Sequence, residues 1–155
     1  MITAFNFPCA VFGWNAAIAL VCGDVITWKG APSTSLVTIA TSKIIADVLQ
    51  KNKINPNVLT VVHGNADIGQ KISQDKRIPL VSFTGSTKIG KIVKRTVDDR
   101  FGKSLLELGG NNATIILKDA NLDLAFKACT FAAVGTCGQR CTSLRRLIIH
   151  EDVFD

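Results

Sequence analysis

The first 23 residues, Met1 to Gly23, contain no Asp, Glu, Lys or Arg. A secretory leader needs a basic opening stretch, so this segment is not a signal peptide. A membrane span is excluded as well. The uninterrupted apolar run Ala16 to Cys22 falls far short of the roughly 20 residues a span needs, and a span would have to bury Asn6, Pro8 and Asn15. The segment reads instead as a buried loop and helix. Core-like sequence from the first residue also suggests a chain cut from something longer. None of the five cysteines is spaced Cys-x-x-Cys. Cys137 and Cys141 are four apart, but only His63 and His150 are on hand to complete a zinc site, and neither sits in a ligand-like cluster. No metal is expected, and an odd number of free thiols points to a reducing, cytoplasmic compartment, with a targeting peptide ahead of Met1 left open. Internal repeats and low-complexity stretches are also missing.

What is present is a globular composition. The chain has 155 residues, 47% of them apolar, enough for one modest domain with a real core. Eighteen Lys and Arg stand against 12 acidic residues, a net charge of +6 that suits phosphates or carboxylates. The basic residues are too dispersed for a nucleic-acid surface. Lys88, Lys91, Lys94 and Arg95 form one solvated helix face, and Arg145-Arg146 stand alone.

Apolar helices alternate with short β-branched strands. Helices are expected over Trp14–Gly23, from Ser33 or Thr34 to about Asn52, over Ala66–Gln74, from Gly85-Ser86-Thr87 to about Arg100, and from Leu122 to about Val134. The long second helix carries its apolar stripe on Leu36, Ile39, Ile44 and Val48. Strands are expected over Asp24–Trp28, Val58–Val62, Pro79–Phe83, Ser104–Leu108, Ala113–Leu117 and Leu144–His150. This rhythm with short connections predicts an α/β fold with parallel strands and helices on both faces, in which ligands bind at the carboxyl ends of the strands. The best internal boundary lies near Phe101-Gly102.

Four short motifs carry chemistry. In Phe83-Thr84-Gly85-Ser86-Thr87-Lys88-Ile89-Gly90 a strand runs through a small-residue turn into a helix whose free N–H groups suit a pyrophosphate. It is not the usual Gly-x-Gly-x-x-Gly, since Thr87 takes the second glycine position, so an ordinary strand–helix turn remains open. In Leu106-Glu107-Leu108-Gly109-Gly110 a carboxylate stands in an apolar strand end. Burial there would raise its pKa toward that of a general base, while a rim glutamate bonded to backbone amides is the alternative. In Gly138-Gln139-Arg140-Cys141-Thr142 the arginine favours a thiolate at Cys141. Cys9, Cys22, Cys129 and Cys137 lie among apolar neighbours and read as small core residues. In Phe5-Asn6-Phe7-Pro8 an amide held between aromatics suits an oxyanion donor, or equally a turn before a core aromatic.

Taken in order, FNFP, WKG, FTGSTxxG, LELGG and GQxC resemble the aldehyde dehydrogenase superfamily over essentially the whole chain. LELGGNNA, FAAVGTCGQRCTS and WKGAPSTS are similar to its antiquitin-type branch. The resemblance implies a Rossmann-like parallel sheet of the aldehyde dehydrogenase fold. Residues 1–102 would be part of the NAD-binding domain and residues 103–155 the start of the catalytic domain. It implies Cys141 as nucleophile, Asn6 as oxyanion donor and Glu107 as the base that releases a free acid, since members that acylate coenzyme A generally lack this glutamate. It implies NAD, with Lys29 on the adenosine ribose and Gly64, Gly85, Ser86 and Gly90 along the adenine and pyrophosphate path. No acidic residue follows Lys29 closely in the sequence, so NADP stays open. Arg140 beside the nucleophile could pair with a distal substrate carboxylate, which suits an acidic semialdehyde such as α-aminoadipic semialdehyde. Its alternative is a structural salt bridge. Trp14, eight residues after Asn6, could line the aldehyde channel or simply pack in the core. The partners implied are a small-molecule aldehyde and further copies of the full-length chain in a homotetramer. A non-catalytic relative that keeps the fold for binding or bulk structure remains the competing reading.

Three departures stand out. Asp24 replaces the usual Asn after Gly and is a poor strand residue. Gly30 replaces the common proline after the lysine, in agreement with the antiquitin branch. Cys137 stands where small residues or Asn are usual, close enough in sequence to raise a disulfide with Cys141. The family also needs an earlier stretch of the cofactor domain, a later glutamate for the nicotinamide ribose and an oligomerisation arm, so the chain reads as an internal fragment. The 155 residues by themselves are expected to produce no NADH from any aldehyde in a spectrophotometric assay.

Overall fold

The computed structural model describes residues 1–154 and divides into two compact units, Met1–Leu108 and Gly109 onward. The first unit contains, in order, α1 (Ala10–Val21), β1 (Ile26–Trp28), α2 (Ser35–Lys51), β2 (Leu59–Val61), α3 (Ala66–Gln74), β3 (Leu80–Gly85), α4 (Thr87–Asp98) and β4 (Lys103–Leu108). The second contains β5 (Asn112–Ile116), α5 (Leu122–Val134) and β6 (Leu144–Ile149). The first unit runs through Leu108 because β4 pairs with β3 along its whole length, from Leu80↔Lys103 to Gly85↔Leu108. The boundary expected near Phe101-Gly102 lies just ahead of that strand.

Local chemistry explains the starts of several elements. Ser86 caps α4 by accepting a hydrogen bond from Ile89 N at 3.3 Å, and Asn121 caps α5 by accepting from Leu124 N at 3.0 Å. Pro32 and Pro56 open 3-10 turns ahead of α2 and β2. Asp24 lies before β1 and not within it, so its poor strand propensity costs nothing there.

Two parallel ladders, β1–β2 and β3–β4, are joined by the N-terminal segment Met1–Thr3. Ile2 bridges Lys29 on one side and Phe83 on the other, both in the parallel sense. Ile2 N donates to Ser82 O at 2.8 Å and Thr84 N to Ile2 O at 2.9 Å. On the other flank Lys29 N donates to Met1 O at 2.9 Å and Thr3 N to Lys29 O at 3.1 Å. The spatial order is therefore β2, β1, the N-terminal segment, β3, β4. In chain order that is 3-2-1-4-5, the order of a dinucleotide-binding sheet, with its switch point at the N-terminal segment.

Each face of this sheet carries its own core. On one face Ile2, Val81 and Phe83 pack with Ile72 of α3 and with Val93 and Val97 of α4. On the other, Ile26 and Trp28 pack with Phe12 and Ala16 of α1, and Ile45 of α2 joins them. Helices on both faces, as expected from the rhythm of the sequence, follow from β1 turning its apolar residues one way and β3 turning them the other. Trp28 is fully buried, stacked on Phe12 with ring centroids 3.8 Å apart, and its indole N–H donates to Thr3 Oγ1 at 2.9 Å. Gly90 brings α4 close to β4: a methyl group there would run into the Leu108 side chain.

Three expectations about burial need correction. α1 is not buried all round: Val11, Phe12 and Ala16 face the sheet, while Trp14, Ile18 and Val21 are exposed. In α2, Leu36, Ile44 and Val48 of the expected stripe lie outside and Ile39 is half-buried, while Thr38 is buried and Ile45 joins the core. Both helices are apolar on more than one side, so periodicity alone could not choose the face. Cys9, Cys22 and Cys137 are exposed and Cys129 is half-buried, so none is a core residue.

Replacing Trp28 by Phe removes the bond to Thr3 and part of the stack, and should cost about 1–3 kcal/mol. Replacement by Ala should cost about 3–5 kcal/mol. Urea unfolding of the full-length protein, followed by circular dichroism, measures both.

Candidate functional site

The carboxyl edge of the first unit's sheet gathers most of the residues singled out in the sequence. Lys29 directly follows β1. Gly64 follows β2 and precedes α3. Gly85 ends β3, and Ser86 caps α4. Glu107 is the penultimate residue of β4, opposite Thr84. Asn6 lies three residues beyond Thr3, where the switch-point segment ends, in a bend that leads to α1. A parallel sheet brings these residues to one edge although the sequence scatters them over a hundred positions.

Lys29 is the most constrained of the set. It is 5% exposed, and burial pushes its pKa down, opposed by the nearby charge of Asp67. Its ammonium donates to Gly30 O at 3.1 Å, its one hydrogen-bond partner among the described residues. An ammonium has three donors, so this one has donors to spare for hydroxyl oxygens of a ligand. After β3, the first N–H groups of α4 and the Ser86 hydroxyl suit a phosphate. The donor set therefore fits a dinucleotide.

Glu107 corrects an expectation. Its side chain is exposed, alternating with Leu106 and Leu108, which pack against the core. Period-two alternation along β4 turns Glu107 to the opposite side from those leucines, so the desolvation argued from its apolar neighbours is not seen. Trp14 lies on the outer side of α1 and is 63% exposed, so it is not a packed core residue.

Cys141 and Arg140 belong to the second unit, in the connection between α5 and β6. Cys141 is exposed and free, as is Cys137. The approach to it is strained: Thr136 and Cys137 have φ of 54° and Gly138 has φ of 66°, three left-handed residues in succession. Such a conformation costs of order 1 kcal/mol at each non-glycine position and persists only where the surroundings impose it. Here they do. Arg140 Nε donates to Thr136 Oγ1 at 2.8 Å, and its guanidinium lies 5.1 Å from the centre of the Phe131 ring. Arg140 N donates to Ser143 Oγ at 3.1 Å, and Ser143 N donates to Arg140 O at 3.2 Å. Arg140 is thus packed on the end of α5, its guanidinium held by Thr136 and Phe131.

Two residues that sequence reasoning missed hold this turn. Asn112, at the start of β5, donates from Nδ2 to Cys141 O at 2.7 Å and to Ser143 O at 3.1 Å. Ser143 is fully buried beneath it. Gly110 leaves room for the arrangement, since a Cβ there would stand 3.1 Å from Cys141 O and 2.9 Å from Asn112 Oδ1. The clue was the double Asn after Gly109-Gly110: amides after a glycine pair at a strand start are natural loop fasteners. Among the described residues there is no metal-binding cluster, and no helix is long and apolar enough to cross a membrane.

Comparison with known proteins gives one family. The model of the aldehyde dehydrogenase family matches residues 1–155. The chain is 59% identical over 155 residues to aldehyde dehydrogenase family 7 member B4 of Arabidopsis thaliana, covering 100% of this chain and 30% of that protein. It is also 59% identical to the α-aminoadipic semialdehyde dehydrogenase of Mus musculus, covering 100% of this chain and 29% of that one. Among solved structures, a glyceraldehyde-3-phosphate dehydrogenase of Methanocaldococcus jannaschii complexed with NADP superposes with a TM-score of 0.95 at 34% identity, over 99% of this chain and 34% of the other. The chain spans about 30% of the length of the curated relatives it matches.

Asn112→Ala removes the donor to two carbonyls of the thiol turn. It should lower stability by about 1 kcal/mol and change the rate of Cys141 alkylation by iodoacetamide several-fold. Mass spectrometry of the modified peptide measures the second effect, and an unchanged rate would show that Asn112 does not position the thiol.

Proposed function

The chain belongs to the aldehyde dehydrogenase family, and on that premise we propose that its protein oxidises an aldehyde to a free carboxylic acid with NAD, with Cys141 as nucleophile. The observation that carries this reading is an exposed thiol on a strained turn fastened by Asn112. An exposed thiol on such a turn is open to an incoming aldehyde carbon.

In this reading Cys141 Sγ bonds to the aldehyde carbon, and the carbonyl oxygen takes up the electron pair as an oxyanion. The Asn6 amide and the Cys141 backbone N–H donate to that oxygen. Lys29 holds the adenosine ribose, and Gly64, Gly85, Ser86 and Gly90 allow or bind the adenine and pyrophosphate. The nicotinamide, when bound, supplies the hydride acceptor. Glu107 takes a proton from water, whose oxygen attacks the acyl carbon on Cys141 Sγ. The thiolate leaves and the acid is released. Glu107 is exposed, so its carboxylate is open to water. Its presence favours hydrolysis over transfer to coenzyme A.

The proposed substrate is an aldehyde with a distal carboxylate, such as α-aminoadipic semialdehyde. The support is Arg140, whose guanidinium is oriented by Thr136 and Phe131 one residue from the nucleophile, together with the relatives that carry that semialdehyde in their names. Trp14, exposed on α1, is placed by this reading along the aldehyde's path. The five free thiols suit a reducing cytoplasmic setting.

In the full-length protein, Cys141→Ala should abolish NADH production while NAD still binds by calorimetry. Glu107→Gln should give a burst of about one NADH per site followed by turnover slowed about 10²-fold or more. Arg140→Met should lower kcat/KM for the acidic semialdehyde by about 10–100-fold and leave that for a neutral aldehyde nearly unchanged. Wild-type protein that binds NAD but yields no NADH with any aldehyde would favour the non-catalytic reading.

A further inference from the structure

Between α5 and β6, from residue 135 to residue 143, Ser143 alone is fully buried. A hydroxyl in that setting needs partners, and it finds them at both ends of Arg140. Ser143 Oγ accepts from Arg140 N at 3.1 Å, and Ser143 N donates to Arg140 O at 3.2 Å. The second bond closes a four-residue turn with Cys141 and Thr142 at its corners. Ser143 is itself tied to β5, because Asn112 Nδ2 donates to Ser143 O at 3.1 Å. This grip fixes the peptide that joins Arg140 to Cys141. No peptide bond among the described residues is cis, and in a trans peptide the C=O and N–H point opposite ways. Arg140 O is aimed at Ser143, so the Cys141 N–H is aimed away from it. Among the described residues no group accepts a hydrogen bond from that N–H.

We propose that Ser143 is a positioning residue for the oxyanion: by gripping Arg140 at its N–H and C=O, it holds the Cys141 N–H turned outward to meet the substrate's carbonyl oxygen. This rests on the reading above, in which Cys141 is the nucleophile and its own N–H an oxyanion donor. As Cys141 Sγ bonds to the aldehyde carbon, the π electron pair moves onto oxygen, and the N–H donates to that new charge. A donor helps most when it is aimed before the charge appears, because no reorientation then has to be made during the reaction. Without the hydroxyl, Arg140 loses the anchor at its N–H, and a single bond of 3.2 Å is left to hold the plane that carries the Cys141 N–H. Asn112 does not replace it. Its bond to Cys141 O fixes the next peptide, the one that carries the Thr142 N–H. The two residues therefore divide the task, Ser143 aiming the amide before the thiol and Asn112 holding the carbonyl after it.

The test compares two reactions of the same thiol in the full-length protein. Oxidation of an aldehyde passes through an oxyanion, whereas alkylation by iodoacetamide displaces iodide and forms none. Ser143→Ala should slow the first turnover of NADH, measured by stopped flow at saturating NAD and aldehyde, by about 10–100-fold. Alkylation of Cys141, followed by mass spectrometry, should stay within about threefold of wild type, and so should NAD affinity by calorimetry. Ser143→Thr keeps the hydroxyl but crowds a buried site with an extra methyl group. The proposal requires it to turn over faster than Ser143→Ala, and a role in packing alone requires the reverse order. A folded Ser143→Ala variant with the wild-type first turnover overturns the proposal. So does one in which turnover and alkylation fall together, since Ser143 would then act on the thiol and not on the amide. If Ser143→Ala does not fold, a folded Ser143→Thr variant that has lost the first turnover overturns it as well. Asn6→Ala separates failure of the underlying reading: it removes the other donor to the same oxygen, and if it slows neither reaction, the oxyanion assignment itself is wrong.

Discussion

Everything the first unit offers to a ligand depends on a few backbone hydrogen bonds made by Met1, Ile2 and Thr3. This segment fills the gap between two parallel ladders that do not pair with each other, and its N–H and C=O groups bond to β1 on one side and β3 on the other. Remove it and Ser82 O, Thr84 N, Lys29 N and Lys29 O lose their partners in the middle of a sheet, where unpaired backbone groups are costly. With it in place, chain order 3-2-1-4-5 follows, and the direction of winding reverses at the segment itself. The connections that leave the strands on either side then run in opposite directions. Asn6, Lys29, Ser86 and Glu107 stand on one edge for this reason.

The second unit works by a different constraint. Its chemistry is carried on a turn, so positioning comes from fastening. Three left-handed residues in succession store strain, and the bonds from Asn112, the Arg140–Ser143 pair and the seating of Arg140 on Phe131 hold it. A thiol on such a turn loses little freedom when it reacts, because the turn is already fixed. Asn112 adds no chemistry of its own, yet the backbone beside Cys141 hangs from it.

Charge on the cofactor side follows similar logic. A buried lysine is unfavourable unless something compensates, and here the nearest acid stops short of pairing with it.

Much of this was legible in the sequence. Turn residues and β-branched runs located the strands and helices to within a few residues, because Gly, Pro, Asn and Ser act locally through φ preference and capping. The ordered motifs FNFP, WKG, FTGSTxxG, LELGG and GQxC identified the family and nominated Cys141, Glu107, Asn6 and Lys29, because each is a residue type whose chemistry is intrinsic. What periodicity could not decide was direction. α1 and α2 are apolar on more than one side, so the face each turns to the sheet was settled by packing against Trp28 and Ile26. The apolar neighbours of Glu107 suggested burial, but strand alternation turns them to one side and the carboxylate to the other. Asn112 under Cys141 and Thr3 on the Trp28 indole join positions far apart in the chain. Such pairings exist only once the strands are in register, so the sequence by itself determined which groups are present and the tertiary structure decided which of them meet.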